Sequence, residues 1–258
     1  MLLTIDVGNT ETKLGCFASD GSELLQSWRV TTESKRTADE YGVFFAQLFA
    51  TAELRTADVE AVVIASVVPK LDQTLESACK RYFGCDPVFF KAHRQSLIPI
   101  KTDRPGEVGA DLVAAAIGAT QAYGSPLIVI SYGTATVFTA ISAAGEYLGV
   151  AIAPGINISI DALVGRAAKL PQIALEAPER TIGTDTISAL QSGIVYGFVG
   201  QTEALVARMR AEMGVDARVI ATGGMAEVVA RHTNIISEVN LHLSLLGLRK
   251  FYLSSQKE

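Results

Sequence analysis

Apolar residues occur along the chain in short runs separated by polar turns, and the runs switch between the strand period and the helix period. Leu2 to Val7 is an apolar strand-like run, Gly8-Asn9 is a turn signal, and Thr12 to Phe17 returns as a second strand. Leu24 to Val30 reads as a third. Residues 38 to 53 place Tyr41, Phe44, Phe45 and Leu48 at spacings of three and four, which is helical. Ala61 to Ser66 is β-branched without alternation, as in a strand buried on both faces. Pro69 stands where a helix begins, Leu71 to Phe83 continues it, and Pro87 to Phe90 is another strand. A proline-punctuated loop over 97–108 ends at Gly109, and Asp111 to Ala122 is Ala-rich and helical.

The pattern restarts at Leu127. Leu127 to Ile130 is a strand, Gly133 marks a turn, and Thr134 to Ile141 and Glu146 to Ala153 are further strands. Helical stretches follow at about 155–168 and 184–213. Arg218 to Thr222 is a short strand, Gly223-Gly224 a break, and a helix opens at Met225. Leu241 to Leu253 has the apolar positions of a docked helix. Strands interleaved with helices indicate an α/β fold. No low-complexity linker separates the halves, so a boundary falls inside a compact body, giving 1–118 and 119–258.

Residues 2–14 (LLTIDVGNTETKL) and 127–139 (LIVISYGTATVFT) share one plan: apolar strand, polar residue, Gly turn, small or hydroxyl residues, second strand. Two such hairpins facing each other offer backbone N–H groups and hydroxyls to a chain of phosphates, as a nest and not as a helix-borne loop. Two ordinary β-hairpins are the alternative. The common nucleotide signatures G-x-x-x-x-G-K-[ST] and G-x-G-x-x-G do not occur, nor do HExxH and G-x-S-x-G.

Composition narrows the classes. In 258 residues, 49% are hydrophobic and 19% charged, enough apolar surface to exclude a disordered chain. Twenty-two basic against 27 acidic residues leave a formal charge of −5, which argues against nucleic acid as a partner. The odd count of three cysteines (Cys16, Cys79, Cys85), without a CxxC pair, fits a reducing cytoplasm. The first residues lack the basic start of a signal peptide. No apolar run reaches the roughly 18 residues of a membrane span. His93, His232 and His242 are isolated and lack metal-ligand spacing.

Asp6 ends a buried strand, where a charged group needs a partner or a cation. Beside a phosphate turn it could hold Mg²⁺ through water; otherwise it caps its own turn. Asp111 follows Gly109-Ala110 at a helix start, where the dipole keeps it ionised. It reads either as a capping residue or as a general base for a substrate hydroxyl in phosphoryl transfer. Gly223-Gly224 either admits a flat ligand such as adenine or makes a tight connection. Thr184 or Asp185 is placed to cap the following helix.

In order, IDVGNTETK at 5–13, ASVVP at 65–69, PGEVGAD at 105–111, YGTATVF at 132–138, GVAIAPGI at 149–156, AKLP at 168–171, IGTDTISALQSGIVYG at 182–197 and TGGM at 222–225 span nearly the whole chain. This series resembles the type III pantothenate kinases, grouped also with Bvg accessory factor proteins in the acetate and sugar kinase, Hsp70 and actin superfamily. The resemblance implies two ribonuclease-H-like (actin-like ATPase) domains around a central cleft, in a cytoplasmic homodimer. The last helix is expected to pack back between the domains. It implies ATP-dependent phosphorylation of pantothenate to 4′-phosphopantothenate, the first step towards coenzyme A.

Matched by position, Asp6, Val7, Gly8, Asn9, Thr10, Glu11, Thr12 and Lys13 form an ATP phosphate segment. Gly133 and Thr134 contact ATP, and Gly223 and Gly224 lie on the adenosine side. Asp111 is the proton acceptor, and Gly109, Ala110, Asp111, Leu112 and Thr186 face pantothenate. Asp6 would hold Mg²⁺ through water. The chain departs from the family at three places. Ser131 replaces an Asp associated with a monovalent cation, K⁺ or NH₄⁺. Leu112 replaces an Arg, and Thr139 a common acidic residue. A lost contact worth about 2–4 kcal/mol in the transition state lowers activity roughly 10²- to 10³-fold. Arg104 or Arg166 is a candidate to replace the missing cation. The alternative is a weak or inactive homologue with a ligand-binding or regulatory role.

Overall fold

A computed structural model describes residues 1–167 and 169–256. The strand runs form two five-stranded sheets of identical topology. In the first, β1 (Leu2–Val7), β2 (Glu11–Phe17) and β3 (Leu24–Thr31) make an antiparallel meander. β4 (Ala61–Ser66) and β5 (Val88–Phe89) then add in parallel, in the order β3-β2-β1-β4-β5. In the second, β6 (Leu127–Tyr132), β7 (Ala135–Ile141) and β8 (Tyr147–Pro154) repeat the meander. Here β9 (Arg218–Thr222) and β10 (Glu238–Val239) supply the parallel pair, in the order β10-β9-β6-β7-β8. The two hairpins recognised as similar in sequence, β1–β2 and β6–β7, thus hold the same place in both sheets. β10 leaves no periodic signal because it has two residues.

The helices are α1 (Ala38–Thr51), α2 (Pro69–Tyr82), α3 (Ala110–Tyr123), α4 (Ile156–Arg166), α5 (Thr186–Met213), α6 (Ala226–Ala230) and α7 (Leu243–Ser255). α1 starts at Thr37, whose side chain and that of Glu40 form a reciprocal capping box. Asp185, not Thr184, caps α5 by accepting from the N–H groups of Ile187 and Ser188 at 2.9 and 3.0 Å. The helix expected from Met225 is only the short α6.

The chain divides into two compact units, Met1–Pro99 with Asp103–Ala122 and His242–Glu258, and Ile100–Thr102 with Tyr123–Leu241. The last helix therefore belongs with the first unit, where a cut at residue 118 would leave it in the second. The reason is a close helix crossing. A β-carbon at Gly118 would overlap the Leu243 carbonyl oxygen, and one at Gly247 the Ala114 carbonyl oxygen, so the backbones of α3 and α7 touch without side chains between them.

In the first unit, Leu3, Ile5 and Val7 alternate onto one face of β1 and pack with Tyr41, Phe45 and Phe49 of α1 and Leu71 and Leu75 of α2. The second core gathers Ile128, Ile130 and Tyr132 of β6 with Ile156, Phe198, Val199 and Val206. Cys16 and Cys79 are buried, Cys85 is partly exposed, and all three are free thiols. Burial pushes the Cys79 thiol up to about 12.

Candidate active site

The period of β1 decides where Asp6 goes. Odd residues face the α1–α2 core, so the even residues Thr4 and Asp6 face the other side, which α7 covers. Asp6 is 6% exposed. Its cross-strand partner in β2 is Lys13, whose Nζ lies 3.9 Å from Asp6 Oδ2. The Ser244 hydroxyl of α7 donates to the same Oδ2 at 2.6 Å. Asp6 Oδ1 is buried and has no hydrogen-bond partner among the described residues. A buried carboxylate oxygen without a donor fits a site for a hydrated divalent cation, and Mg²⁺ binds through one or two carboxylates while keeping several waters. No group of three or more His, Cys, Asp or Glu that could hold a metal ion by itself occurs among the described residues.

Asp111 stands in the first turn of α3. Its carboxyl is raised to about 6, first because protein encloses it and next because the Asp6 charge is near. The backbone N–H groups of Leu112 and Asp111 and the Lys13 ammonium pull the other way. The first unit therefore brings Asp6, Lys13 and Asp111 into one electrostatic cluster, although they are scattered over a hundred positions of the chain. The cation acting on Asp111 is Lys13. Arg104, a candidate for replacing the charge absent at Leu112, lies on the surface and pairs with Glu107 at 3.1 Å.

The rest of the first hairpin separates by exposure. Asn9 and Thr10 are exposed at the turn, which closes with the Gly8 N–H donating to the Glu11 carbonyl at 3.0 Å. Glu11 pairs with Arg29 at 3.4 Å. Val7 packs into the core, and Thr12 is 2% exposed, its hydroxyl 2.9 Å from that of Thr32, which donates to the Gly8 carbonyl. The side chains of Val7 and Thr12 thus support the turn and are not displayed by it. Leu112 and Ala110 are half-buried beside Asp111.

In the second unit, Gly133 and Thr134 are exposed at the β6–β7 turn, with the Gly133 N–H donating to the Ala135 carbonyl at 3.0 Å. Ser131 is half-buried on β6, in register with Val137 and Thr222. Thr139 is buried. Gly223 has φ +96, and a β-carbon there would overlap the Tyr132 carbonyl oxygen, so the packing of β9 against β6 alone demands this glycine. Gly224 is half-buried beside it. Thr186 is the exposed first residue of α5, and Arg166 is exposed at the end of α4. Of the AKLP run, Ala168 lies outside the described residues.

A protein-family model described as type III pantothenate kinase matches residues 2–208. The chain belongs to the type III pantothenate kinase family. It is an enzyme of the kinase class, transferring phosphate to an alcohol group. A type III pantothenate kinase of Anaeromyxobacter sp. (strain K) is 49% identical over 249 residues, covering 96% of this chain and 97% of that protein. One of Moorella thermoacetica is 47% identical over 252 residues, covering 98% of each. Among solved structures, a chain described as a Baf family transcriptional activator from Campylobacter jejuni has a TM-score of 0.63 at 16% identity, covering 99% of this chain and 100% of that one. The activator of the 2-hydroxyisocaproyl-CoA dehydratase from Clostridium difficile has a TM-score of 0.54 at 12% identity, covering 99% and 95%. These structures establish the actin-like ATPase and sugar kinase fold.

Two polar residues lie near the cluster that no sequence motif assigns to it. His242 immediately precedes α7, and its pKa is lowered by burial and then by Lys13. Ser244 follows two residues later, 238 positions from the carboxylate it binds. Gly109 also gains a definite role, since a β-carbon there would stand 2.6 Å from Asp111 Oδ1. Gly109→Ala should therefore displace the carboxylate. The expected result is a fall in turnover of about 10²-fold with a melting temperature near wild type, read by steady-state kinetics and calorimetry.

Proposed function

We propose that this chain transfers the γ-phosphoryl group of ATP to the terminal hydroxyl of pantothenate, with Asp111 as proton acceptor. One observation carries the assignment of the base. Asp111 is a carboxyl with a value of about 6, held at the start of α3 in the same cluster as Asp6 and Lys13. Such a group is mostly ionised at neutral pH and more basic than an ordinary aspartate. Asp111 takes the hydroxyl proton, the freed oxygen attacks the γ-phosphorus, and the bond to the bridging β-oxygen breaks to release ADP. Catalysis of this transfer is largely positioning and charge neutralisation. Lys13 is assigned to offset phosphate charge, and Asn9, Thr10, Gly133 and Thr134, each on an exposed turn of its own unit, are assigned to ATP. Asp6 would hold Mg²⁺ through water, and the bound ion would offset charge on the phosphates. Gly109, Ala110, Leu112 and Thr186 are assigned to pantothenate, and Gly224 with Gly223 to the adenosine side.

Ser131 provides a hydroxyl oxygen but no charge, so the enzyme is expected to have lost a K⁺ or NH₄⁺ requirement. The test is coupled ADP release with ATP and Mg²⁺, with and without pantothenate and each cation. Pantothenate-dependent turnover that ignores K⁺, together with a Ser131→Asp variant that responds to it, supports both parts. Folded protein without turnover under any cation selects the ligand-binding homologue, the reading favoured by Ser131 and Leu112.

A homodimer completes the proposal. The edge strand β8 exposes Leu148, Val150 and Ile152 at alternate positions, hence on one face, with Ile152 at 68%. A second copy of the chain is the proposed cover. Light scattering is expected to give twice the chain mass, and Ile152→Glu to give the monomer; a wild-type monomer at micromolar concentration contradicts it. The free cysteines support a cytoplasmic setting. No described helix is long and apolar enough to cross a membrane.

A further inference from the structure

We propose that Ser244, on the last helix, is a positioning residue for the nucleotide site, orienting Asp6 so that one defined carboxylate oxygen is left for a cation. The inference rests on the phosphotransfer reading above. Ser244 is 4% exposed and Asp6 6%. At 2.6 Å their contact has the length of a charge-assisted O–H···O⁻ bond. Lys13 Nζ approaches the same Oδ2 at 3.9 Å. Oδ2 is thus occupied from the α7 side and the β2 side, while Oδ1 has no hydrogen-bond partner among the described residues. With Oδ2 held, rotation of the carboxylate about its own axis is blocked, and the oxygen left over is always Oδ1.

The helix carrying Ser244 is itself tightly seated. Gly247, three residues on, lies against the Ala114 carbonyl of α3, and α3 carries Asp111. α7 therefore bonds Asp6 directly through the hydroxyl and packs on the helix that bears Asp111. Residues that orient a metal-binding carboxylate typically matter about 10- to 100-fold for metal affinity or activity. Without the hydroxyl, Lys13 is free to close on Oδ2, and the carboxylate is free to turn both oxygens towards the ammonium.

The experiment is calorimetric titration of ADP into wild type, Ser244→Ala, Ser244→Thr and Asp6→Ala, each with Mg²⁺ and with EDTA, alongside melting curves. Ser244→Ala should weaken Mg²⁺-dependent ADP binding about 10- to 100-fold while leaving binding in EDTA unchanged. Ser244→Thr, which keeps the hydroxyl, should stay within about threefold of wild type. Adding Ser244→Ala to Asp6→Ala should cause no further loss, because the serine acts through the aspartate. Wild-type affinity in Ser244→Ala, an equal loss in EDTA, an additive loss in the Asp6→Ala background, or a Ser244→Ala chain without cooperative melting each overturns the proposal. Wild-type protein that binds Mg²⁺ and ADP but never releases ADP with pantothenate sinks the kinase reading alone, and the titration still decides Ser244. Wild-type protein that binds no ADP overturns both.

Discussion

Asp111→Asn should lower turnover by about 10²- to 10⁴-fold, the range for losing a general base, without lowering the melting temperature at pH 8. The amide keeps the size and the helix-start position of the side chain but cannot accept a proton. The stability half of the prediction follows from the direction of the shift. The carboxyl is raised to about 6 from an ordinary 3.8, so the folded chain binds its proton more tightly than the unfolded chain does. Its contribution to folding is therefore fully present below about pH 4 and lost as the pH rises through about 6. At pH 8 the wild type carries an enclosed anion beside Asp6, and the asparagine removes that repulsion. The activity profile should mirror this: wild-type kcat/KM climbs through an acidic limb near pH 6, and the residual activity of Asp111→Asn lacks the limb. An unchanged turnover removes Asp111 from the role of base. A variant that melts far below wild type shows that the residue was a structural cap.

Gly247→Ala should be the most damaging single methyl in the first unit. The added carbon would overlap the Ala114 carbonyl oxygen, which is backbone and cannot rotate aside. Overpacking a core usually costs about 1–3 kcal/mol, and a clash with helix backbone belongs at or above the upper end. For a chain of this size, about 3 kcal/mol lowers the melting temperature by roughly 6–12 °C. The loss should extend beyond stability, because separating α7 from α3 also withdraws Ser244 from Asp6. Thermal melts and ADP titration of the same variant check both effects. A variant within about 2 °C of wild type would show that the crossing relaxes easily. The contrast with Gly109→Ala is useful, since there the obstructed atom is a side-chain carboxylate and activity, not folding, should suffer.

Much of this is legible in the sequence. The strands of the first sheet follow from apolar runs bounded by Gly, Pro and Asn, because the period of two and turn chemistry are local properties. Ala61–Ser66 and Arg218–Thr222 begin and end where the sequence pattern places them. The similarity of residues 2–14 and 127–139 agrees with the shared topology, since each forms the first hairpin of the same meander. Asp6 and Asp111 were singled out because a carboxylate at the end of a buried strand or at a helix start needs a reason to be there.

Other features lay beyond local reasoning. The pleat of β2 turns the Thr12 side chain inward to Thr32, which its position in the run 6–13 does not show. Gly223 reads in the sequence either as room for a flat ligand or as a tight connection, and the nearness of Tyr132 on a neighbouring strand supplies the packing reason for a glycine there. That Lys13 acts on Asp111 follows from its register opposite Asp6 in the β1–β2 pair, which no spacing along the chain shows.

The sequence by itself determined the α/β class, the doubled hairpin, the glycine turns and the two carboxylates, because periodicity, turn chemistry and charge burial are written within a few residues of one another. Only the tertiary structure decided that α7 returns to the first unit, that Ser244 holds Asp6, and that the Asp111 carboxyl is raised. Those depend on which groups enclose a side chain, and enclosure is set by elements as much as 238 positions apart, whose approach no local pattern encodes.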